Sequence, residues 1–303
     1  MAVELDDKLV VGISSRALFD LEEEDRIFRE EGLEAYTRYQ VEHENDILRP
    51  GTAFPLVKAL GRLNSEGRQL TELIVMSRNS AETSLRIFNS IRHYGLSMSR
   101  AALTGGAPIA PYLGAFCTDL FLSAEGQDVQ EAINANMAAG LICDHDLLEL
   151  DPEASIDQIR IAFDGDAVLF SDESERIYQA QGLEAFQAHE ERLAGRPLPS
   201  GPFAKLLKTL SLLQRSFPDG QVPIRTALVT ARSAPAHERV IRTLRDWNVR
   251  IDEAFFLGGV PKDRVLKAFG AHIFFDDQPV HLDPASRQVP SARVLYPQGE
   301  REV

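Results

Sequence analysis

Ile161-Ala162-Phe163-Asp164-Gly165-Asp166-Ala167-Val168-Leu169-Phe170 runs an apolar strand into two carboxylates separated by one glycine. Three further pieces follow in order. Leu228-Val229-Thr230 is a second strand, ending in a hydroxyl. Lys262 comes after a Gly258-Gly259 turn, and Ile273-Phe274-Phe275-Asp276-Asp277 is a third strand, ending in paired acids. Each chemical group stands at a strand C-terminus, where open α/β sheets collect their sites. Alternating strands and helices predict a Rossmann-like α/β fold, with a parallel sheet covered on both faces.

Outward from this stretch, the chain repeats itself. Residues 77–124 align without gaps on 230–277, an offset of 153, with 12 of 48 positions identical, among them Arg86/Arg239, Gly105/Gly258 and Gly106/Gly259. Residues 13–36 align on 163–186 at an offset of 150, including Gly32-Leu33-Glu34-Ala35 on Gly182-Leu183-Glu184-Ala185. Two matches in the same order read as an internal duplication. Residues 1–150 form one unit and 151–303 the other, with a boundary near 147–157. In the second unit, helices at 173–193 and 203–217 are expected to form a small cap, near 172–222, above the C-terminal edge of the sheet.

The copies differ in their charges. Asp164 aligns with Ser14, Asp166 with Arg16, Thr230 with Ser77, Lys262 with Ile109, and Asp276 and Asp277 with Ser123 and Ala124. The first unit keeps glycines and apolar positions but lacks the carboxylates and the lysine, so catalysis is expected in the second alone. Its own polar set is Ser14, Ser15, Arg16, Ser77, Arg78, Asn79, Ser80 and the Thr104-Gly105-Gly106 turn. This set suggests either a regulatory nucleotide gripped by Arg16 and Arg78 or a reach into the substrate site. A structural or dimer-contact role is the plainer alternative.

The charged set fits phosphoryl transfer. A carboxylate at Asp164 can attack phosphorus if cations neutralise its repulsion with the phosphate. Mg²⁺, a hard ion with oxygen ligands, suits Asp164, the Asp166 carbonyl, Asp276 and Asp277. Asp166, two residues on, can protonate a leaving oxygen and then activate water. Gly165 permits close backbone approach. Thr230 and Ala231 offer a hydroxyl and amides, and Lys262 adds a positive charge. Arg232 is a further candidate contact to phosphate or ribose, or else an exposed arginine at a helix start. Taken singly, Asp-Gly-Asp is a turn or calcium loop as readily as a site, and Lys262 an exposed helix lysine; the ordered combination carries the reading.

This order of motifs resembles the haloacid dehalogenase phosphotransferase superfamily. The runs Ser14–Asp20, Leu103–Gly106, Ala162–Arg176, Leu228–Ala234 and His272–Gln278 look like the cytosolic 5′-nucleotidase type I family, over nearly the whole chain. The resemblance implies Mg²⁺-dependent hydrolysis of nucleoside 5′-monophosphates, AMP favoured, in the cytoplasm by a homo-oligomer with a nucleotide effector. By motif, Asp164 is then the nucleophile and Asp166 the acid/base. Thr230 and Lys262 bind phosphate, and Asp276 and Asp277 hold the metal. A phosphatase for another small ester and a nucleotide-sensing protein without turnover are the alternatives.

Composition narrows the partners. A net charge of −14 argues against nucleic-acid polymers. Cys117 and Cys143 are too few for a disulfide framework, which fits a reducing compartment. The acidic segment Met1–Asp7 lacks a leader's apolar core, and no apolar run reaches membrane-spanning length.

Overall fold

The apolar runs become ten strands in a single sheet. The computed structural model describes residues 5, 7–64, 67–143, 150–218 and 220–297, so most of the acidic N-terminal segment and part of the 147–157 boundary lie outside the described residues. The strands are β1 (Leu9–Ile13), β2 (Thr71–Ser77), β3 (Met98–Leu103), β4 (Leu120–Ser123), β5 (Ala138–Ile142), β6 (Ile159–Phe163), β7 (Ile224–Thr230), β8 (Glu253–Phe256), β9 (Ile273–Asp276) and β10 (Ser291–Val294). Their order is β3-β2-β1-β4-β5-β10-β9-β6-β7-β8. Each set of five therefore has the same order, and the two meet at β5 and β10. The central strands are buried on both faces, as sheets covered by helices require.

The expected all-parallel sheet needs one correction. Every pairing is parallel except β5 with β10, where Ala292 faces Ile142 and Val294 faces Gly140 in antiparallel register. This junction reverses direction. The C-terminal ends of β1–β5 open on one edge of the sheet, and those of β6–β10 on the opposite edge. The expected reach of the first half into the second half's site is therefore overturned. Both joining strands were missed in sequence because each is short and follows a helix without an alternating pattern. They nonetheless keep the repeat: Ala138 and Ser291 stand 153 residues apart, like Leu120 and Ile273.

The cap is narrower than its predicted 172–222 span. Helix Ala204–Arg215 buries Leu206, Leu207, Leu210 and Leu213 in the main core beside Phe163 and Leu228. It is thus the crossover helix covering a sheet face. Of the expected cap, helix Glu173–Arg192 alone stands clear of the core: it buries only Ser174 and Glu190 and breaks at Gly182 (φ 82°, a left-handed value that glycine tolerates). Its counterpart is the pair Glu22–Glu31 and Leu33–Glu42, broken at Gly32 (φ 88°). Among the described residues no helix is long and apolar enough to cross a membrane.

Candidate active site

In the order β10-β9-β6-β7, chain direction across the sheet switches between β6 and β9, which is where open α/β sheets leave a crevice. Asp164 follows β6, and its amide donates to the Phe275 carbonyl of β9 at 2.8 Å. Asp276 closes β9 and Asp277 follows it. Oxygens of these three carboxylates lie within 4.8 Å of one another, all buried. Thr230 closes β7, also buried. A Cβ at Gly165 would stand 3.3 Å from the Thr230 hydroxyl, so the glycine lets this hydroxyl close on the backbone of the acidic turn. Beyond Gly165 the chain turns at Ala167 (φ 62°).

Lys262 caps helix Asp263–Phe269 and is 3% exposed. Its Nζ donates to Asp164 Oδ1 and to Asp276 Oδ2, each at 2.6 Å. An isolated charge at this depth would be costly, so the lysine and acids must neutralise one another. Burial pushes Asp164 up to about 7, Lys262 opposes the shift, and the Asp276 and Asp166 charges add to it. Burial also pushes Asp277 up to about 7, reinforced by Asp164. Asp276 is raised by the same desolvation. Burial disfavours charge on Lys262, but Asp164 and Asp276 more than compensate and raise it above the usual lysine range.

The second cluster surrounds Asp166. Arg232 donates from Nε at 2.7 Å and Nη2 at 2.6 Å to the two Asp166 oxygens. Its remaining nitrogen, Nη1, donates to Glu190 on the cap. Glu190 also accepts from Ser174 Oγ at 2.8 Å and Arg239 Nη1 at 2.9 Å. Arg232, a candidate contact to phosphate or ribose, is 4% exposed, and its guanidinium is engaged by carboxylates. Ala231 is exposed. Residues 231–236 separate Thr230 from helix His237–Asp246, so the expected helix-leading amide at Thr230 is not formed.

Glu190, Arg239 and Tyr296 were not singled out in sequence. Arg239 had a signal in its identity with Arg86. Tyr296, beyond β10, had none; its hydroxyl donates to Asp277 Oδ2. The other Asp277 oxygen is buried without a hydrogen-bond partner. Three carboxylates gathered at a sheet edge, one with an orphaned oxygen, fit a hard divalent cation.

A sequence profile of the 5′-nucleotidase family matches residues 1–301. Human "Cytosolic 5′-nucleotidase 1B" is 42% identical over 293 residues, which covers 92% of this chain and 47% of that protein. The chain thus spans about half the length of this curated relative. Among solved structures, a chain from "Structure of Pnkp1/Rnl/Hen1 complex" is 11% identical at a TM-score of 0.33, covering 98% of this chain and 99% of that one, and carries no argument. With the family profile and the human relative both spanning nearly all of it, the chain belongs to the 5′-nucleotidase family.

Proposed function

We propose that the chain hydrolyses nucleoside 5′-monophosphates, AMP preferred, to nucleoside and phosphate through an aspartyl-phosphate on Asp164. The observation carrying this reading is the convergence of Asp164, Lys262, Asp276 and Asp277 at one sheet edge within family-wide similarity. In this reading the fold is of haloacid dehalogenase type, two duplicated units, with 151–303 catalytic. Asp164, the Asp166 carbonyl, Asp276 and Asp277 would hold Mg²⁺, which would supply positive charge to offset the phosphate dianion.

Asp164 Oδ attacks phosphorus as the bond to the ribose oxygen breaks, and Asp166 gives that oxygen its proton. Asp166 then takes a proton from water, whose oxygen displaces Asp164 and releases phosphate. Lys262 and the Thr230 hydroxyl, with amides near Ala231, hold phosphoryl oxygens. Arg232 is a positioning residue: it occupies both oxygens of Asp166, so proton transfer requires one to be released. Glu190 offers the same guanidinium another anchor. A cytosolic location, a homo-oligomer and a nucleotide effector follow the family likeness.

The test is phosphate release from AMP, other nucleoside monophosphates and sugar phosphates, with Mg²⁺ and with chelator. Mg²⁺-dependent release fastest from AMP is expected. Faster release from a sugar phosphate supports the other-ester reading, and AMP binding without turnover supports a sensor; either result overturns the proposal.

A further inference from the structure

The first half holds a cavity of about 630 Å³ between the C-terminal ends of β1 and β2 and the helices Glu22–Glu31 and Leu33–Glu42. This lies within the usual range of roughly 300–1,000 Å³ for small-ligand pockets. It stands on the opposite edge of the sheet from the acidic site, so it is not an extension of that site.

Its charges argue against an anion. Five carboxylates and three guanidiniums line it. Each guanidinium is already matched: Arg16 by Glu125 at 2.5 Å and Asp25 at 3.2 Å, Arg29 by Asp25 at 3.0 Å, and Arg78 by Asp128 at 2.5 Å. A phosphate would have to displace these internal acids and meet the surplus of negative charge. The expected grip of Arg16 and Arg78 on a nucleotide phosphate therefore has no free cation behind it among the described residues.

The features that survive are of another kind. Phe28 and Tyr36 meet edge to face at 5.8 Å, and Tyr178 and Phe186 meet likewise at 6.2 Å, 150 residues later in both cases. Phe28 and Leu33 are 49% and 65% exposed, and their counterparts Tyr178 and Leu183 are 48% and 56% exposed. Single exposed apolar residues are ordinary, but the same aligned positions exposed in both halves, with Phe28 and Leu33 lining the first-half cavity, are not. The double-glycine turn survives as well: Gly105 and Gly106 (φ 59° and 95°) match Gly258 and Gly259 (φ 56° and 92°). Beneath these, the Asn79 amide nitrogen is buried beside the Tyr36 hydroxyl without a well-formed hydrogen bond, and Ser80 and Thr83, whose hydroxyls meet at 3.2 Å, line the cavity next to it. A buried donor left unsatisfied is costly unless a ligand or water completes it. What is lost relative to the second half is phosphate chemistry; what remains suits an aromatic ring and neutral hydrogen-bonding groups.

We propose that this first-half cavity binds a nucleoside, an aromatic base carrying an uncharged sugar, in preference to a nucleotide. The test uses the Asp164→Asn chain of residues 1–303 with Mg²⁺ and saturating AMP, which blocks the acidic site, and titrates adenosine by calorimetry. One adenosine per chain is expected to bind. Phe28→Ala, at a half-exposed position, and Asn79→Ala should each weaken that event by about tenfold. Neither change should alter AMP turnover in chains that retain Asp164. No adenosine uptake under saturating AMP, uptake indifferent to both substitutions, or two AMP bound per chain overturns the proposal. AMP turnover by the unsubstituted chain, measured alongside, tests the nucleotidase reading separately.

Discussion

The two halves share a backbone plan and differ in what sits at its strand ends. The Ser14 amide donates to the Leu122 carbonyl at 2.8 Å, and the Asp164 amide donates to Phe275 at the same distance. Ser123 accepts from the Glu125 amide at 3.1 Å where Asp276 accepts from Gln278 at 2.9 Å. Ser77 accepts from the Asn79 amide at 3.2 Å where Thr230 accepts from Arg232 at 3.3 Å. In the last two turns a short oxygen-bearing side chain satisfies the backbone, and in one of them the second half has a carboxylate where the first has a hydroxyl; at the first turn the bond runs between backbone groups in both halves. The geometry of these turns therefore does not depend on the acids. It follows that the acids can be altered without dismantling the fold, and the same experiments in the first half should leave catalysis untouched.

The sharpest break in this symmetry is Asp164→Asn. The amide is nearly isosteric but is neither nucleophile nor anionic ligand, so phosphate release from AMP is expected to fall below detection with an unchanged circular dichroism spectrum. Substantial turnover by the variant, contamination excluded, removes the aspartyl-phosphate mechanism. Asp166→Asn is the next step down. Loss of a general acid/base typically costs about 10²–10⁴-fold, read as kcat for AMP. An unchanged kcat would mean that the proton comes from elsewhere.

Lys262 and Ile109 make the comparison within one aligned pair. Both are buried, Ile109 at 0% exposure in an apolar cluster and Lys262 between two acids. Lys262→Ala is expected to raise KM and lower kcat, together about 10²–10³-fold, as for loss of one oriented oxyanion donor. Ile109→Ala should cost about 2–5 kcal/mol of stability while leaving activity per folded molecule near normal. Steady-state kinetics paired with thermal melts separate the two. Loss of activity without loss of stability in Ile109→Ala would give the first half a direct part in the reaction.

Much of the candidate site was legible because its signals are local. Strand β6 is apolar apart from Arg160, and Asp164, Thr230, Lys262 and Asp276 each close or follow a strand or turn that sequence pattern marks. The rest depends on contacts that pattern does not carry. The β10 run Ser291-Ala292-Arg293-Val294 was not read as a strand, yet its pairing with β5 decides that the halves face opposite ways. The cap was overdrawn because helix periodicity gives the apolar face of Ala204–Arg215 but not the surface it covers. Arg232 looked like a phosphate ligand from its place after Thr230. Only the fold brings Glu190, 42 residues earlier, against it.

The smallest expected effect on chemistry tests that last contact, again across the two halves. Arg239 is buried against Glu190, and its aligned Arg86 is buried against Glu24. The acids come from non-equivalent positions of the cap, since Glu24 aligns with Ser174 and Glu190 with Gln40. Each half thus keeps a buried arginine–carboxylate anchor between its cap and its sheet-covering helix. Removing one partner of such a pair leaves an uncompensated charge, so Glu24→Gln and Glu190→Gln should each lower stability by about 3–5 kcal/mol. Their kinetics should diverge. Glu190 also holds the guanidinium that occupies Asp166, so Glu190→Gln is expected to lower kcat for AMP by roughly tenfold, or about 1.4 kcal/mol, with KM little changed. It should also distort the alkaline or acid limb of the kcat–pH profile, a readout that a purely structural anchor would not move. Glu24→Gln should leave both kcat and the profile as they were. Equal kinetic effects from the two substitutions would mean that cap anchoring alone matters. An unchanged kcat in Glu190→Gln would mean that Arg232 positions Asp166 without help from the cap.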